Sequence, residues 1–356
     1  MTRNLSTLAT VCFRRAGRRF CTAILSLAAV TLLLWTADAS AQTAGRLFFL
    51  NSENGDYLVG GIDPGGYFHS TPASSRSTLK GTTHLVANNA AIVAYNRNTG
   101  YAELVAIDGF GNAGFRPTGF GVNWNQIVPT GGDFLSYGGD GNNGGQGAAF
   151  AVKQGGYIDH QIWAGSLSPW TNIVQTDDYL IFYNQVTGLF DETIFSPVSS
   201  TLEQNRLSVA TIASGYGVMA AVDDNVILYN TSTGAYTVIG LYFVGNGNDF
   251  PDRRNSGTLQ KFYGAILPSA GRVVFYSYGS GDVLVSHVSQ SGELVSEKKT
   301  KIPIYTDAFT SGSYLCFYNA ENGELAVYSL TTGGTLTRLS VQQIGSGYTF
   351  AAAAHS

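Results

Sequence analysis

Histidines are the first residues to test for chemistry, because imidazole serves both as a general base and as a metal ligand. The histidines of this 356-residue chain lie far apart and share no spacing: His69, His84, His160, His287 and His355. None belongs to a His-Glu-x-x-His motif, and no Gly-x-Ser-x-Gly motif precedes a helix-like segment. The sequence therefore identifies no catalytic residue and predicts neither a metal site nor a cofactor.

Paired acidic residues are the next candidates, since two carboxylates can share acid and base work. Asp177-Asp178 and Asp223-Asp224 occupy matching predicted turns, and Asp133 lies near the equivalent position of a third turn. Repetition at a turn favours a structural role, because Asp stabilises turns through its own side chain. The alternative is that loop acids from several units converge on a central channel.

Aromatic side chains form the most regular series in the chain. Thirteen residues separate the members of a recurring pair whose second member is Tyr: Thr82/Tyr95, Trp124/Tyr137, Trp170/Tyr183, Tyr216/Tyr229, Tyr263/Tyr276 and Tyr305/Tyr318. Aromatic faces stack on sugar rings, so the first members Trp124, Trp170, Tyr216, Tyr263 and Tyr305 are candidate ligand contacts. The alternative, which we favour, is packing between repeated units. Trp163 lies outside the series and is a candidate for an exposed platform.

The longest departure from the repeat is the segment 244–257, which carries Arg253 and Arg254. It reads as a loop on a rigid scaffold, where binding groups often lie. We therefore include both arginines among the candidate ligand-binding residues, with a solvated connection as the alternative.

The spacing of the tyrosines predicts the fold. A Gly follows most of them by five residues, and the segment 50–55 has the same shape with Leu50 in the Tyr position. The seven anchors at 50, 95, 137, 183, 229, 276 and 318 are separated by 42 to 47 residues. A period in the forties built from short strands and Gly turns is typical of β-propellers. We predict an all-β, seven-bladed propeller of four-stranded antiparallel blades, closed by joining the N-terminal and C-terminal strands in one blade.

The motifs also carry a family resemblance. Trp124-Asn125-Gln126-Ile127-Val128-Pro129, followed by Phe134-Leu135 and Tyr137, resembles bacterial propeller repeats of the form W-x-x-I-V-P … L-L-F-Y-D-x-x-x-G. Such repeats are similar to those of seven-bladed bacterial propeller lectins and of tectonin/tachylectin-type proteins. The resemblance implies glycan recognition without a cofactor. In this chain the acidic position of the motif is mostly Asn: Asn96, Asn184, Asn230 and Asn319.

The first 41 residues read as a secretory signal peptide. A basic region with Arg14 and Arg15 precedes the apolar stretch 23–35, and Ala39-Ser40-Ala41 offers a small-residue cleavage pattern. An uncleaved membrane anchor is the alternative. The remaining residues, 42–356, form the predicted propeller domain and carry 15 basic and 23 acidic residues. An acidic chain is a poor match for nucleic acid, so we expect none as a partner, and no stable membrane insertion after cleavage.

Three functions are compatible with these features. The first is a secreted or periplasmic, non-enzymatic propeller that recognises a glycan. The second is a cell-envelope scaffold that binds a partner protein through one face. The third is a hydrolase or lyase with a site in the channel. The absence of recurrent His or of a nucleophile motif favours the first, without deciding whether the chain is an enzyme.

Overall fold

A computed structural model describes residues 45–88, 91–108, 111–130, 132–139, 142–153, 157–176, 179–194, 206–241 and 252–354. These residues form 29 β-strands and a 3₁₀ turn, Ser77–Leu79. The strands make seven antiparallel sheets, numbered here as blades 1 to 7. The predicted fold class is confirmed, whereas the proposed signal peptide lies outside the described residues.

Each blade is built by consecutive strands, except blade 1. Blades 1 to 3 contain β1 (Arg46–Leu50), β2 (Asp56–Ile62), β3 (Phe68–Ser70) and β4 (Ser74–Ser75); β5 (His84–Ala87), β6 (Ile92–Tyr95), β7 (Tyr101–Ile107) and β8 (Ala113–Gly119); and β9 (Gln126–Thr130), β10 (Asp133–Tyr137), β11 (Gly145–Lys153) and β12 (Tyr157–Leu167). Blades 4 and 5 contain β13 (Asn172–Gln175), β14 (Tyr179–Tyr183), β15 (Leu189–Ile194) and β16 (Arg206–Thr211); and β17 (Val218–Val222), β18 (Asn225–Tyr229), β19 (Ala235–Gly240) and β20 (Asp252–Thr258). Blades 6 and 7 contain β21 (Ala265–Ser269), β22 (Arg272–Tyr276), β23 (Asp282–Val288) and β24 (Leu294–Lys301); and β25 (Asp307–Ser311), β26 (Tyr314–Asn319), β27 (Glu324–Leu330) and β28 (Leu336–Gln343).

Blade 1 closes the ring with the last strand of the chain, β29 (Phe350–Ala354). This strand pairs antiparallel with β1, from Leu50 opposite Phe350 to Arg46 opposite Ala354. Closure pairs the backbone groups that an open edge would leave exposed. The predicted union of the two chain ends in one blade is confirmed.

The turn between the second and third strands explains why the motif carries Asn. In blade 4, the Asn184 Oδ1 atom accepts hydrogen bonds from the backbone N–H groups of Val186 and Thr187, at 2.9 and 3.1 Å. Its Nδ2 atom donates to the carbonyl oxygen of Pro169 at 2.7 Å, which an aspartate cannot do. Gly188 follows with φ of +76°, and a β-carbon there would overlap the carbonyl oxygen of Ile212.

The repeated tyrosines join six of the seven blades, blades 2 to 7, to the blade that follows. Their hydroxyls donate to carbonyl oxygens in the following connection at 2.5 to 3.4 Å: Tyr95 to Gly121, Tyr137 to Ser168, Tyr183 to Ala213, Tyr229 to Gln260, Tyr276 to Pro303 and Tyr318 to Gly345. The same hydroxyls accept, at 2.7 to 3.4 Å, from the backbone N–H groups of Trp124, Trp170, Tyr216, Tyr263, Tyr305 and Tyr348. We call this bridge the tyrosine latch.

Two segments differ from their sequence-based interpretation. The charged stretch 297–301 reads as a soluble turn, but it belongs to strand β24, where Lys299 pairs with Leu284. The segment 244–257 reads as a loop, but its last part belongs to β20, where Arg253 pairs with Ile239. Outermost strands face solvent, so their composition resembles that of a loop even where the backbone is fully paired.

We predict that deleting the last ten residues, 347–356, destabilises the whole propeller. The deletion removes β29 and leaves β1 as an exposed strand edge. We expect the melting temperature to fall by about 10 °C or more, as measured by circular dichroism. A truncated protein that melts like the full chain would contradict a role for closure in stability.

We also predict that Tyr137→Phe costs about 1–3 kcal/mol, because it leaves two buried backbone groups without a partner. The groups are the Ser168 carbonyl and the Trp170 N–H, each 2.9 Å from the Tyr137 hydroxyl. Urea unfolding measures the change. Tyr67→Phe is the matched control, because Tyr67 is 51% exposed and we expect a change below about 0.5 kcal/mol there.

Candidate functional site

The seven innermost strands surround the propeller axis. They are the first strands of the blades, β5, β9, β13, β17, β21 and β25, together with β29, and each packs against two other innermost strands. On the outer side, each innermost strand pairs with the second strand of its own blade. The side of each innermost strand that neither neighbour covers faces the central channel.

The first residues of these strands lie at one level and form one end of the channel. Six of them pair with the repeated tyrosines, and the seventh pairs with Leu50, so the register is the same in every blade. In order from blade 1 they are Phe350, His84, Gln126, Asn172, Val218, Ala265 and Asp307. We call this set the mouth ring.

Three polar members of the mouth ring link one blade to the next. The His84 Nε2 atom lies 2.9 Å from the carbonyl oxygen of Asn125. The amide nitrogens of Gln126 and Asn172 donate to carbonyl oxygens at the start of the next innermost strand, at 3.1 and 3.3 Å. The His84 Nδ1 atom lies 2.9 Å from the hydroxyl of Thr83. With both nitrogens in use, this imidazole is better suited to structure than to proton transfer.

Asp307 is the acidic member of the mouth ring. Its neighbours in the ring are Ala265 and Phe350, neither of which offers a hydrogen bond from its side chain. Among the described residues, no cation forms an ion pair with Asp307, and its Oδ1 atom accepts from the Ala308 N–H at 2.8 Å. Burial raises the pKa of the Asp307 carboxyl above its usual value, although the hydrogen bond from Ala308 opposes the shift. A half-buried carboxyl with a raised pKa is a candidate proton carrier.

Tyr278 carries a phenol whose pKa responds to the charge of this carboxyl. It lies in the turn that follows Tyr276, and its ring packs against Gly264, just before β21. Burial raises the pKa of Tyr278 to about 12, with a further contribution from the charge of Asp307. The phenol is therefore protonated at neutral pH and able to donate a hydrogen bond.

Glu103 and Glu297 are carboxylates that have cationic partners among the described residues, in contrast to Asp307. Glu103 is fully buried and accepts from Arg76 at 2.6 and 2.8 Å, from Thr78 at 2.9 Å and from Tyr101 at 2.7 Å. Burial alone would raise the pKa of Glu103, but these hydrogen bonds outweigh it and lower the pKa. The hydrogen bond from Arg272 similarly lowers the pKa of Glu297. Asp307 differs because no cation of the described segments pairs with it, so its carboxyl keeps the capacity to take up a proton.

The aromatic candidates of the sequence lie between the blades. Tyr263 and Tyr305 are 0% and 1% exposed, and Trp170 and Tyr216 are also buried. Trp124 is partly buried, and its indole N–H donates to the carbonyl oxygen of Phe120. Contact of these rings with a ligand stays a prediction, and it would require them to leave their packed positions.

The remaining candidates lie away from the mouth ring. Trp163 is partly exposed on β12, the outermost strand of blade 3, and its ring covers Gly147 and Gly165. Arg253 and Arg254 belong to β20, the outermost strand of blade 5, and their side chains lie outside the described residues. The structure does not bring these residues together with the aromatic series, and a ligand role for them stays a prediction.

The turn acids that the structure describes lie at the opposite ends of the innermost strands. Asp223 and Asp224 are exposed in the turn between β17 and β18, and Asp133 begins β10. Asp177 and Asp178 lie outside the described residues. The described turn acids are therefore separated from Asp307 by the length of the innermost strands.

Within the described part of the chain, no group of three or more His, Cys, Asp and Glu side chains is placed to hold a metal ion. No helix in that part is long and apolar enough to span a membrane. We expected that the protein neither binds nucleic acid nor inserts stably into a membrane, and this stays a prediction.

Sequence reasoning missed Asp307 and Tyr278 because it searched for repetition. Asp307 stands two residues after Tyr305 and eleven before Tyr318, and the same offset gives a different residue type in the other blades. Alignment of the seven repeats on their tyrosines would have placed Asp307 in the mouth ring. Its burial, and hence its raised pKa, depends on the packing of the blades around the axis.

Comparison with known proteins supports the fold. No protein-family model and no curated protein sequence matches the chain. Among solved structures, a protein from Bacteroides fragilis that is provisionally assigned as a 6-phosphogluconolactonase has a TM-score of 0.64 and 12% identity, covering 86% of this chain and 97% of its own. The periplasmic gluconolactonase of Pseudomonas aeruginosa has a TM-score of 0.61 and 14% identity, covering 85% of this chain and 97% of its own.

These neighbours correct the functional interpretation. We expected a non-enzymatic propeller of lectin or tectonin type, or an envelope scaffold, and that expectation is wrong. Three of the similar propellers carry lactonase names. The third is a further 6-phosphogluconolactonase assignment from Bacteroides uniformis, with a TM-score of 0.61 and 12% identity, covering 85% of this chain and 99% of its own. At such low identity the likeness establishes the seven-bladed fold, and the activities belong to the neighbours.

Proposed function

We propose that this chain hydrolyses a cyclic ester, a lactone, at the mouth ring of its central channel. The observation that carries the proposal is the Asp307 carboxyl, which is half-buried at the channel mouth, lacks a cation partner among the described residues and has a raised pKa. The lactonase names of the similar propellers indicate which reaction to test first. A sugar-derived lactone is one substrate class within this proposal.

The reaction requires a base to activate water. The Asp307 carboxylate takes a proton from a water molecule while the water oxygen attacks the ester carbonyl carbon. The ring C–O bond then breaks, and the proton held by Asp307 passes to the departing oxygen, which gives the open hydroxy acid. A pKa raised by burial makes the carboxylate a stronger base than an exposed aspartate.

Tyr278 has a supporting role in this proposal. Its protonated hydroxyl donates a hydrogen bond to the oxygen that becomes negative in the transition state. The interaction gains strength because the carboxyl and the phenol share a partly desolvated environment. We place the protein in the periplasm, on the basis of the expected signal peptide and of the periplasmic neighbour.

We predict that Asp307→Asn lowers kcat for hydrolysis of glucono-1,5-lactone or γ-butyrolactone by about 10²-fold or more, because an amide cannot act as the base. The wild-type rate rises with pH as the carboxyl ionises, with a midpoint above the usual pKa of an aspartate. A pH-stat assay at constant ionic strength measures both. Tyr278→Phe lowers kcat by a smaller factor and keeps the pH midpoint.

Asp223→Asn is the matched control for the activity assay. It makes the same chemical change in an exposed turn at the far end of β17, and Asn tolerates the positive φ of 48° found there. We expect unchanged rates for this variant. Wild-type activity that survives in Asp307→Asn, or the absence of lactone hydrolysis by folded wild-type protein, would contradict the proposal.

We predict that Asp307→Asn also stabilises the fold at neutral pH. The folded pKa of Asp307 is raised, so the folded state favours the protonated form. The stability linked to this proton is present below the unfolded pKa, near 3.9 for an ordinary Asp, and is lost as pH rises through the folded pKa. Urea unfolding should therefore show a stabilisation at pH 7 that disappears in acid. A variant less stable than wild type at pH 7 would show that Asp307 has structural partners.

A further inference from the structure

The residue three positions before each member of the mouth ring has the same backbone shape in five of the seven blades. We call this place the entry position. Its φ is left-handed, between +67° and +92°, and its N–H donates to a carbonyl oxygen in the turn of the preceding blade at 2.7 to 3.0 Å: Gly81, Asn123, Gly215, Phe262 and Gly347. The left-handed region is strained for most residues that have a β-carbon, whereas Gly and Asn tolerate it. Four of the five residues therefore suit this conformation, and Phe262 does not.

Phe262 is strained and gains little from packing in return. Its φ is +70°, and the hydrogen bond from its N–H to the carbonyl oxygen of Thr231, at 2.8 Å, holds the backbone there. The Phe262 side chain is 69% exposed, the largest fraction among the exposed large apolar residues of the described segments. Residues held in such conformations cluster at functional sites. An exposed aromatic ring at a strained position therefore indicates contact with a molecule outside the chain.

A second departure from the repeat lies two residues later, just before the mouth ring. In four blades this residue is a Thr whose hydroxyl donates to the carbonyl of the anchor residue at 3.1 to 3.2 Å and accepts from a turn N–H at 2.8 to 3.0 Å: Thr83, Thr171, Thr306 and Thr349. In blade 6 the residue is Gly264, and the Tyr278 ring lies 2.5 Å from the place that a β-carbon would take. Blade 6 therefore lacks this bridge and has the Tyr278 ring in its place, beside the strained Phe262.

These departures lie next to the candidate base. The strands β21 and β25, which follow Phe262 and Ile304, pack against each other, and Ile304 stands three residues before Asp307. Phe262 and Ile304 occupy the entry positions of blades 6 and 7 and are 69% and 52% exposed. The entry positions of the other five blades carry Gly, Asn or Pro. Large apolar side chains at the rim therefore occur in the blade of Asp307 and in the blade before it.

We propose that Phe262 binds the substrate by packing its exposed ring against the C–H face of the lactone ring, and so selects lactones that present such a face. The inference rests on the proposed function for the identity of the ligand. Contact removes apolar surface of both partners from water, and an aromatic ring offers a large rigid area for it. Phe262 touches the part of the substrate that does not react, so its contribution belongs to KM rather than to kcat.

The test replaces Phe262 by the residue that blade 3 uses at its entry position, Asn123. We expect Phe262→Asn to raise KM for γ-butyrolactone about tenfold in the pH-stat assay, with kcat unchanged. The melting temperature should equal or exceed that of wild type, because Asn tolerates the left-handed backbone. Val186→Asn is the matched control: Val186 is 54% exposed in the turn between β14 and β15, three blades from Asp307, and we expect its KM to match wild type. A Phe262→Asn protein with a lower melting temperature and an unchanged KM would show a structural role and overturn the inference.

A binding measurement separates this inference from the proposed function. Saturation-transfer NMR of Asp307→Asn with γ-butyrolactone reports contact between the protein and the ring C–H protons without turnover. A signal that falls severalfold in Asp307→Asn/Phe262→Asn, but not in Asp307→Asn/Val186→Asn, supports the inference even if wild-type protein hydrolyses no lactone and the proposed function fails. Hydrolysis with a KM that does not depend on Phe262 overturns the inference and leaves the proposed function standing. The absence of both binding and hydrolysis overturns both.

Discussion

The tyrosine latch is the interaction on which the arrangement of the blades depends. A buried phenol hydroxyl is both donor and acceptor, so one atom can satisfy a carbonyl and an N–H that belong to the connection between two blades. Buried backbone groups without partners are costly, and a propeller must turn the chain at every blade. Phe would fill the same space but leave both groups unpaired. Burial also raises the pKa of five of these phenols, to about 12 for Tyr183 and Tyr318, so those hydroxyls stay protonated at neutral pH: Tyr95, Tyr183, Tyr229, Tyr276 and Tyr318.

Because of the latch, the residues that hold the blades together differ from the residues of the candidate site. The tyrosines, the Asn turns and the closing strand fix the blades, so the residue at the start of each innermost strand can vary without loss of the fold. His84, Gln126 and Asn172 use the position to bond the next blade, whereas Val218 and Ala265 make no such bond. Asp307 occupies the same position, but its carboxylate accepts from the N–H of its own neighbour Ala308 and not from the next blade. Because six latches hold the blades together, one of the seven positions in the mouth ring can carry a carboxyl whose charged form destabilises the folded state.

The sequence was sufficient for the fold because the fold is repetitive. The anchors at Tyr95 to Tyr318 and at Leu50 predicted the seven blades, and the matching half-repeats at the two ends predicted the closing pair of β1 and β29. The sequence shows the pairs of residues that lie thirteen positions apart, but it does not show which residues they contact. Trp170 bonds to Tyr137 of the preceding blade, 33 residues earlier, rather than to Tyr183. A period reveals which positions recur, but not which neighbour in space each one meets.

The candidate site could not be predicted in the same way, because it consists of departures from the repeat. Asp307 has no unusual feature along the chain, and its pKa is raised by burial that only the assembled ring of blades provides. Glu103, by contrast, is more deeply buried but has Arg76 as a partner, and its pKa is lowered. Burial alone therefore does not mark a functional acid in this propeller. What distinguishes Asp307 is that burial desolvates its charge while, among the described residues, no cation pairs with it. Groups with such perturbed pKa values cluster at functional sites, and this is the reason for proposing Asp307 as the base.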